Sequence, residues 1–248
     1  MRNVFLLGLM ILISFGSMAQ SKKVLIYTKN GQGYVHDNIS ASVEALKLIC
    51  KELKLDFEVS DQPSVFTREK LSKYSLLIFT NTNNETFDTD SQRNEFQNYM
   101  QKGGKFIGIH STCGSERKWE WFWSMLGGKF VRHPVLQPFD IKIIDSNNIS
   151  TKHLPAIWNW EDECYFMDNL NPDMHVLLAV DLRSIVDDKK TEYPGTVFGK
   201  YFPLAWCHEF DGGRQWYTAL GHKIEHYQDK NFIQHLKGGI LWILQEKN

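Results

Sequence analysis

The sequence lacks the usual signatures of a metal or nucleic-acid protein. Only four of its 248 residues are cysteine, at positions 50, 113, 164 and 207, and their scatter fits no zinc spacing. There is no HExxH, no paired CxxC and no aspartate-rich calcium loop. A formal net charge of −1 leaves no basic footprint, so nucleic acid is not an expected partner. No apolar run approaches the roughly 20 residues that cross a bilayer. Without repeats, low-complexity runs or linkers, residues 20–248 are expected to form one domain.

What the chain does have begins at its amino terminus. Arg2 is followed by an apolar run from Val4 to Phe15, then by the small residues of Ser17-Met18-Ala19. This is the pattern of a secretory signal peptide spanning residues 1–19, with cleavage before Gln20. The expectation is an exported protein, periplasmic or extracellular, with no membrane attachment after cleavage; an uncleaved anchor is the alternative. Export permits disulfides. Cys50 reads as a core residue on a helix face, and the pairing of the other three stays open.

Strand and helix signals then alternate. Lys23–Thr28, Phe57–Ser60, Leu76–Thr80 and Lys105–Ile109 read as short buried strands. Asp37 is expected to cap a helix carrying Ile39, Val43, Leu46, Ile49 and Leu53, and Thr89 or Asp90 a second helix running to Gln101. A tryptophan-rich helix follows within "ERKWEWFWSMLGG", and Asp229 opens a last one with Phe232, Leu236, Ile240 and Ile243 on one face. Further strands are expected at Phe139–Ile144, "MHVLLAV", "FPLAWCHEF" and "RQWYTALGH". The fold class is therefore α/β, a mostly parallel sheet with helices on both faces. Ligands in such sheets bind beyond the carboxyl ends of the strands. The strand Phe106–Ile109 should lie centrally.

The stretch "GKFIGIHSTCG" resembles the strand-to-helix elbow on which many α/β enzymes mount a nucleophile, yet its framed residue is His110. Ser111 and Cys113 flank that position without occupying it. His36 directly precedes a helix N-terminus, whose partial positive charge disfavours imidazolium. A neutral imidazole there suits a base, a hydrogen-bond partner or a metal ligand; a plain surface histidine is the alternative. The glycines of "NGQGYVHD" do not complete a dinucleotide fingerprint, because His36 stands where a third glycine is needed. His222 ends "TALGH", and its i, i+4 partner His226 would complete a metal pair only on a helix, whereas Gly221 favours a turn. Loops after separate parallel strands emerge at one sheet edge, so His36, His110 and His222 should line one crevice. His133 and the acidic turn at Glu163 are expected on its opposite wall. Glu161, Asp162 and Glu163 sit among aromatics, an arrangement that raises carboxyl pKa values. Trp158 and Trp160 suggest sugar-stacking platforms near the rim, and Asn81 belongs to the polar run after the third strand. Trp119, Phe122, Trp123 and Leu126 share a helical face and are expected in the core.

Taken in order, "GYVHDNI", "GKFIGIHS", "GGKFVRHP", "WEDECY", "LAWCHEFDGGRQWYTALGH" and "FIQHLKGGILW" resemble the trehalose-utilisation, ThuA-like family. The resemblance implies a flavodoxin-like fold of the class I glutamine amidotransferase-like superfamily, whose amidotransferases carry cysteine at the elbow where this chain has His110. It implies a carbohydrate partner, a role in the catabolism of glycosides or 3-keto-glycosides, and a functional link to a sugar oxidoreductase. By position it picks out His36, His110, His133, Glu163, Tyr217 and His222. The expectation is a glycoside-cleaving hydrolase or lyase and not a glutamine amidotransferase, with His110 or His36 as base and Glu163 or His222 as acid. Substrate contacts are expected from His133, Tyr217, Trp158, Trp160 and Asn81. A non-catalytic sugar-binding protein that kept the crevice is the competing class. No cofactor is expected; a divalent metal held by the histidines stays open.

Overall fold

A computed structural model describes residues 23–189 and 200–245. The expected signal peptide and its cleavage site lie outside the described residues. Within them, no helix is long and apolar enough to cross a membrane.

The first half of the chain builds a parallel sheet. Its elements are β1 (Lys23–Tyr27), α1 (Ile39–Glu52), β2 (Asp56–Ser60), α2 (Arg68–Leu71), β3 (Tyr74–Thr80), α3 (Asp90–Gln101), β4 (Lys105–Ile109) and α4 (Glu120–Leu126). The second half is mostly strand: β5 (Lys129–Arg132), β6 (Gln137–Ile143), β7 (Ile157–Asp162), β8 (Phe166–Asp168), β9 (His175–Asp181), β10 (Tyr201–Phe210) and β11 (Gly213–Thr218), before α5 (Lys230–Leu244). Among the described residues nine strands join one sheet in the order β2-β1-β3-β4-β11-β10-β9-β6-β7, while β5 and β8 pair separately. Pairing is parallel from β2 across to β11 and antiparallel beyond it. The parallel part has the 2-1-3-4-5 order of flavodoxin-like sheets, with β11 as its fifth strand. β4 lies centrally, between β3 and β11.

Successive side chains of a strand point to opposite faces, and β3 shows which helices cover which. Phe79 packs among Phe96 of α3 and Phe122 of α4, with ring centroids 5.6 and 6.3 Å away. Thr80, one residue on, hydrogen-bonds Ser42 of α1. The other cover of that second face is α5, whose Gly239 lies under Trp216 of β11: a Cβ there would come within 2.7 Å of the indole. Helices thus cover both faces.

Three expectations need correction. The first helix is capped at Asn38, not Asp37, and the Asn38 side chain leaves its own helix to donate to the carbonyls of Gly221 and His222, both at 2.6 Å. The tryptophan-rich helix starts only at Glu120; Phe122 and Leu126 are buried, but Trp119 and Trp123 are only partly so. The segment read as an acidic turn is mostly strand β7, in which Trp158, Trp160 and Asp162 face inward and Ile157, Asn159 and Glu161 outward. All four cysteines are buried and unpaired.

Candidate functional site

Because β1, β3, β4 and β11 run parallel, the loops after them share one edge of the sheet. The elbow after β4 is the most constrained of these. His110 has φ +51°, a left-handed conformation uncommon outside glycine and costly for an L-residue. Thr112 latches the turn, its hydroxyl 2.9 Å from the Phe79 carbonyl and 3.3 Å from the Ile109 amide, which it accepts. Gly108 makes room: a Cβ there would lie 2.9 Å from Leu126 and 3.0 Å from the Tyr217 ring. The packing of Leu126 and Tyr217 beside the elbow therefore favours glycine two places before the histidine.

The bend delivers His110 into a fully buried position. Its Nδ1 lies 2.8 Å from the Ala219 carbonyl, which can only accept, so Nδ1 carries the proton and Nε2 a lone pair. Facing that lone pair are the Tyr165 hydroxyl at 2.8 Å and His36 Nε2 at 3.2 Å. Tyr165 stacks on the imidazole with centroids 4.5 Å apart. Burial keeps Tyr165 protonated, its pKa driven well above that of an ordinary phenol, so it serves as a donor.

A second arm comes from the sheet's far edge. Asp162, the last residue of β7, is fully buried and accepts from the Trp160 indole, the amides of Glu163 and Gly221 (each at 2.8 Å), and the His222 amide at 3.3 Å. Burial still lifts its pKa above the usual aspartate value, with nearby His226 the largest opposing influence. This clamp fixes Glu163 and His222 side by side. His222 Nδ1 lies 3.2 Å from Glu163 Oε2, and the same oxygen is 3.8 Å from His110 Nε2.

The four groups divide electrostatically. Burial, reinforced by the neighbouring His222, lowers His36 to about 4. Burial and the adjacent His36 push His110 well below the ordinary histidine value. Both are neutral at physiological pH. Desolvation opposes charge on His222 too, but Glu163 outweighs it and raises the pKa. Desolvation of Glu163 is likewise outweighed, by His222 and His133, and its pKa falls. The pair therefore favours carboxylate and imidazolium. Of the sequence candidates, His36, His110, His222 and Glu163 also offer one ligand atom each within 4.8 Å of one another, a group able to hold a metal.

Above them opens a pocket of about 310 Å³ whose lining includes His36, Glu163, His133, Tyr34, Phe130 and Tyr165. Tyr34 stands 61% exposed at its mouth, edge-on to His36 at 4.8 Å. A larger pocket near Arg68 and Lys105 lies away from the sheet edge carrying this chemistry. Of the three histidines expected to line one crevice only His36 does, with His110 and His222 packed against it, their ring centroids 4.7 and 5.3 Å away. Four expected substrate contacts also lie outside the lining. Trp158 and Trp160 are buried on the inner face of β7, Trp160 against His226 at 4.2 Å, so neither is a platform at the rim. Tyr217 is fully buried and donates to the His110 carbonyl at 2.8 Å, and Asn81 is buried with its amide on the Tyr227 hydroxyl at 2.9 Å. Both brace the elbow region from behind. His226 points to Asp162, 3.5 Å away, and not into the group. Among the lining residues, sequence reasoning missed Tyr34, Phe130, Tyr165 and Arg117. Tyr165 and Phe130 lay inside the motifs "WEDECY" and "GGKFVRHP", so their signal was present but given to neighbours.

Fold and site together define a flavodoxin-like α/β protein with a histidine at the strand-to-helix elbow after β4. The chain belongs to the ThuA family, trehalose utilisation, whose model matches residues 23–243. That membership supports a carbohydrate-related role. Among solved structures, a protein of Bacteroides uniformis described as ThuA-like is 23% identical, with 92% of this chain and 94% of that chain covered and a TM-score of 0.71. A ThuA-like protein of Parabacteroides merdae is 20% identical over 92% and 93%, with a TM-score of 0.66. A Thermoplasma acidophilum protein described as part of a GMP synthase is 12% identical over 91% and 98%, with a TM-score of 0.51. At these identities the likeness shows the fold alone. No curated protein matches the chain.

The strain at His110 gives a direct test. Glycine is normally less stabilising than alanine, but at positive φ the order reverses. In urea unfolding, His110→Gly should be more stable than His110→Ala by about 1 kcal/mol. An alanine variant of equal or greater stability would mean the elbow is relaxed.

Proposed function

We propose that this protein is an exported carbohydrate-processing enzyme that cleaves a glycoside bearing a 3-keto group. One observation carries the reading: a carboxylate–imidazolium pair, Glu163 with His222, beside neutral His36 at an aromatic-walled pocket in a trehalose-utilisation family chain. A ketone at C3 acidifies the C2 hydrogen. Glu163 takes that proton, the electron pair of the C2–H bond forms the enolate, and collapse of the enolate breaks the bond from C1 to the glycosidic oxygen. His222 protonates the departing oxygen. The products are the free alcohol and a 1,2-unsaturated 3-keto sugar, with no redox change. Acid–base assistance of this kind contributes about 10² to 10⁴ in rate.

This division of roles departs from the assignment expected from sequence. His110 is too buried to meet a sugar, and Glu163, held ionised, suits the base and not the acid. Tyr34, Phe130 and Tyr165 offer the apolar faces that sugar rings stack on, in place of Trp158 and Trp160. The ketone must be installed beforehand, which implies a sugar oxidoreductase acting upstream.

Incubation of the purified protein with a panel of glycosides and their 3-keto derivatives should release alcohol from the keto forms. Glu163→Gln should lower kcat by about 100-fold or more. Saturable binding with no product would instead support a non-catalytic sugar-binding protein, and glutaminase activity should be absent. Export rests on the amino-terminal pattern and is tested separately: the secreted chain should begin at Gln20, whereas recovery with Met1 retained would reject it.

A further inference from the structure

We infer that His36, His110, His222 and Glu163 form a binding site for one divalent transition-metal ion of the zinc type. The proposal rests on the reading of this pocket as a carbohydrate site and revises its roles. With the ion bound, Glu163 and His222 are ligands, and the proton transfers given to them belong to the metal-free protein. Its test reads metal content alone.

The first argument is distance. Ligands about 2.0–2.1 Å from a tetrahedral ion stand about 3.4 Å from each other. His36 Nε2 and His110 Nε2 are 3.2 Å apart, His222 Nδ1 and Glu163 Oε2 3.2 Å, and His110 Nε2 and Glu163 Oε2 3.8 Å, with the whole set inside 4.8 Å. Three imidazoles and one carboxylate suit zinc and its first-row neighbours; magnesium and calcium prefer oxygen donors throughout.

The second argument is hydrogen-bond accounting. The His110 Nδ1 proton is committed to the Ala219 carbonyl, the backbone anchor that orients metal-bound histidines generally. Nε2 of His110 and of His36 then converge on one another, two ring nitrogens with only the Tyr165 hydroxyl near both, at 2.8 and 3.4 Å. His222 Nδ1 is buried and makes no aligned hydrogen bond, despite its nearness to Glu163. One cation would take a lone pair from each of the three nitrogens and from the carboxylate.

Access supports the site. His36 and Glu163 line the pocket, so the ion would lie at its wall. Four protein donors fill a tetrahedron, so a pocket ligand would reach the ion as a fifth donor. The ketone oxygen of a 3-keto sugar is one such donor.

The test uses the full mature chain, stripped with a chelator and dialysed, then titrated with Zn²⁺ and in parallel with Co²⁺, whose visible bands report tetrahedral nitrogen–oxygen coordination. One equivalent should bind per chain. His36→Gln and Glu163→Gln should each weaken binding by at least tenfold, while His208→Gln, a buried histidine outside the group, should not. Circular dichroism of each variant checks that it is folded. No saturable binding to the stripped wild-type protein, or equal affinity in His36→Gln, would overturn the site. Stoichiometric metal in a protein that cleaves no 3-keto-glycoside would keep the metal site and reject the glycoside reading; turnover by metal-free protein that binds no Zn²⁺ would do the reverse.

Discussion

A single buried carboxylate holds the site together. Asp162 terminates an edge strand, yet its side chain is out of water and surrounded by four N–H donors from Trp160, Glu163, Gly221 and His222. A buried carboxylate is tolerated only when its acceptor capacity is filled, and losing its partners leaves an uncompensated buried polar group. Those partners belong to both segments that supply the reactive pair. The Asn38 side chain grips the other side of the Gly221–His222 turn through its carbonyls. The loop that carries His222 is therefore fixed from β7 on one side and from the start of α1 on the other.

This constraint puts the pocket-lining charged group on the clamp and not on the elbow. The elbow is still strained and still delivers its residue to the sheet edge. That residue, however, is sealed beneath Tyr165, Tyr217 and the Ala219 carbonyl. Glu163, which lines the pocket, comes from the antiparallel half, and its partner His222 comes from the turn after β11. The parallel half of the sheet contributes His36, His110 and His222; the added strands contribute Glu163 and the Asp162 clamp.

Much of this was legible in the sequence, for identifiable reasons. β1, β3 and β4 announce themselves as short apolar runs, and Gly108 and His110 mark the elbow because the packing beside it favours glycine. The meeting of His36, His110 and His222 follows from parallel strand order alone. The β7 segment was harder to read. "NWEDECYF" contains three adjacent acids, which suggest a solvated turn, but alternation from Ile157 to Asp162 buries one of those acids and two tryptophans. Burial of a carboxylate depends on donors from residues some sixty positions away, such as Gly221, and no local pattern encodes them. Tyr34 was likewise hidden, since its place at the pocket is set by where distant loops land.

The Asp162 clamp creates a charged Glu163–His222 pair facing two neutral imidazoles. Imidazole resonances of ¹⁵N-labelled, chelator-treated protein, assigned by single substitutions and followed from pH 4 to 9, measure this directly. The account predicts that His222 titrates above the ordinary histidine value and falls in Glu163→Gln, while His36 stays neutral down to about 4. A His222 that titrates at or below the ordinary histidine value near 6.5, unaltered by Glu163→Gln, would contradict it.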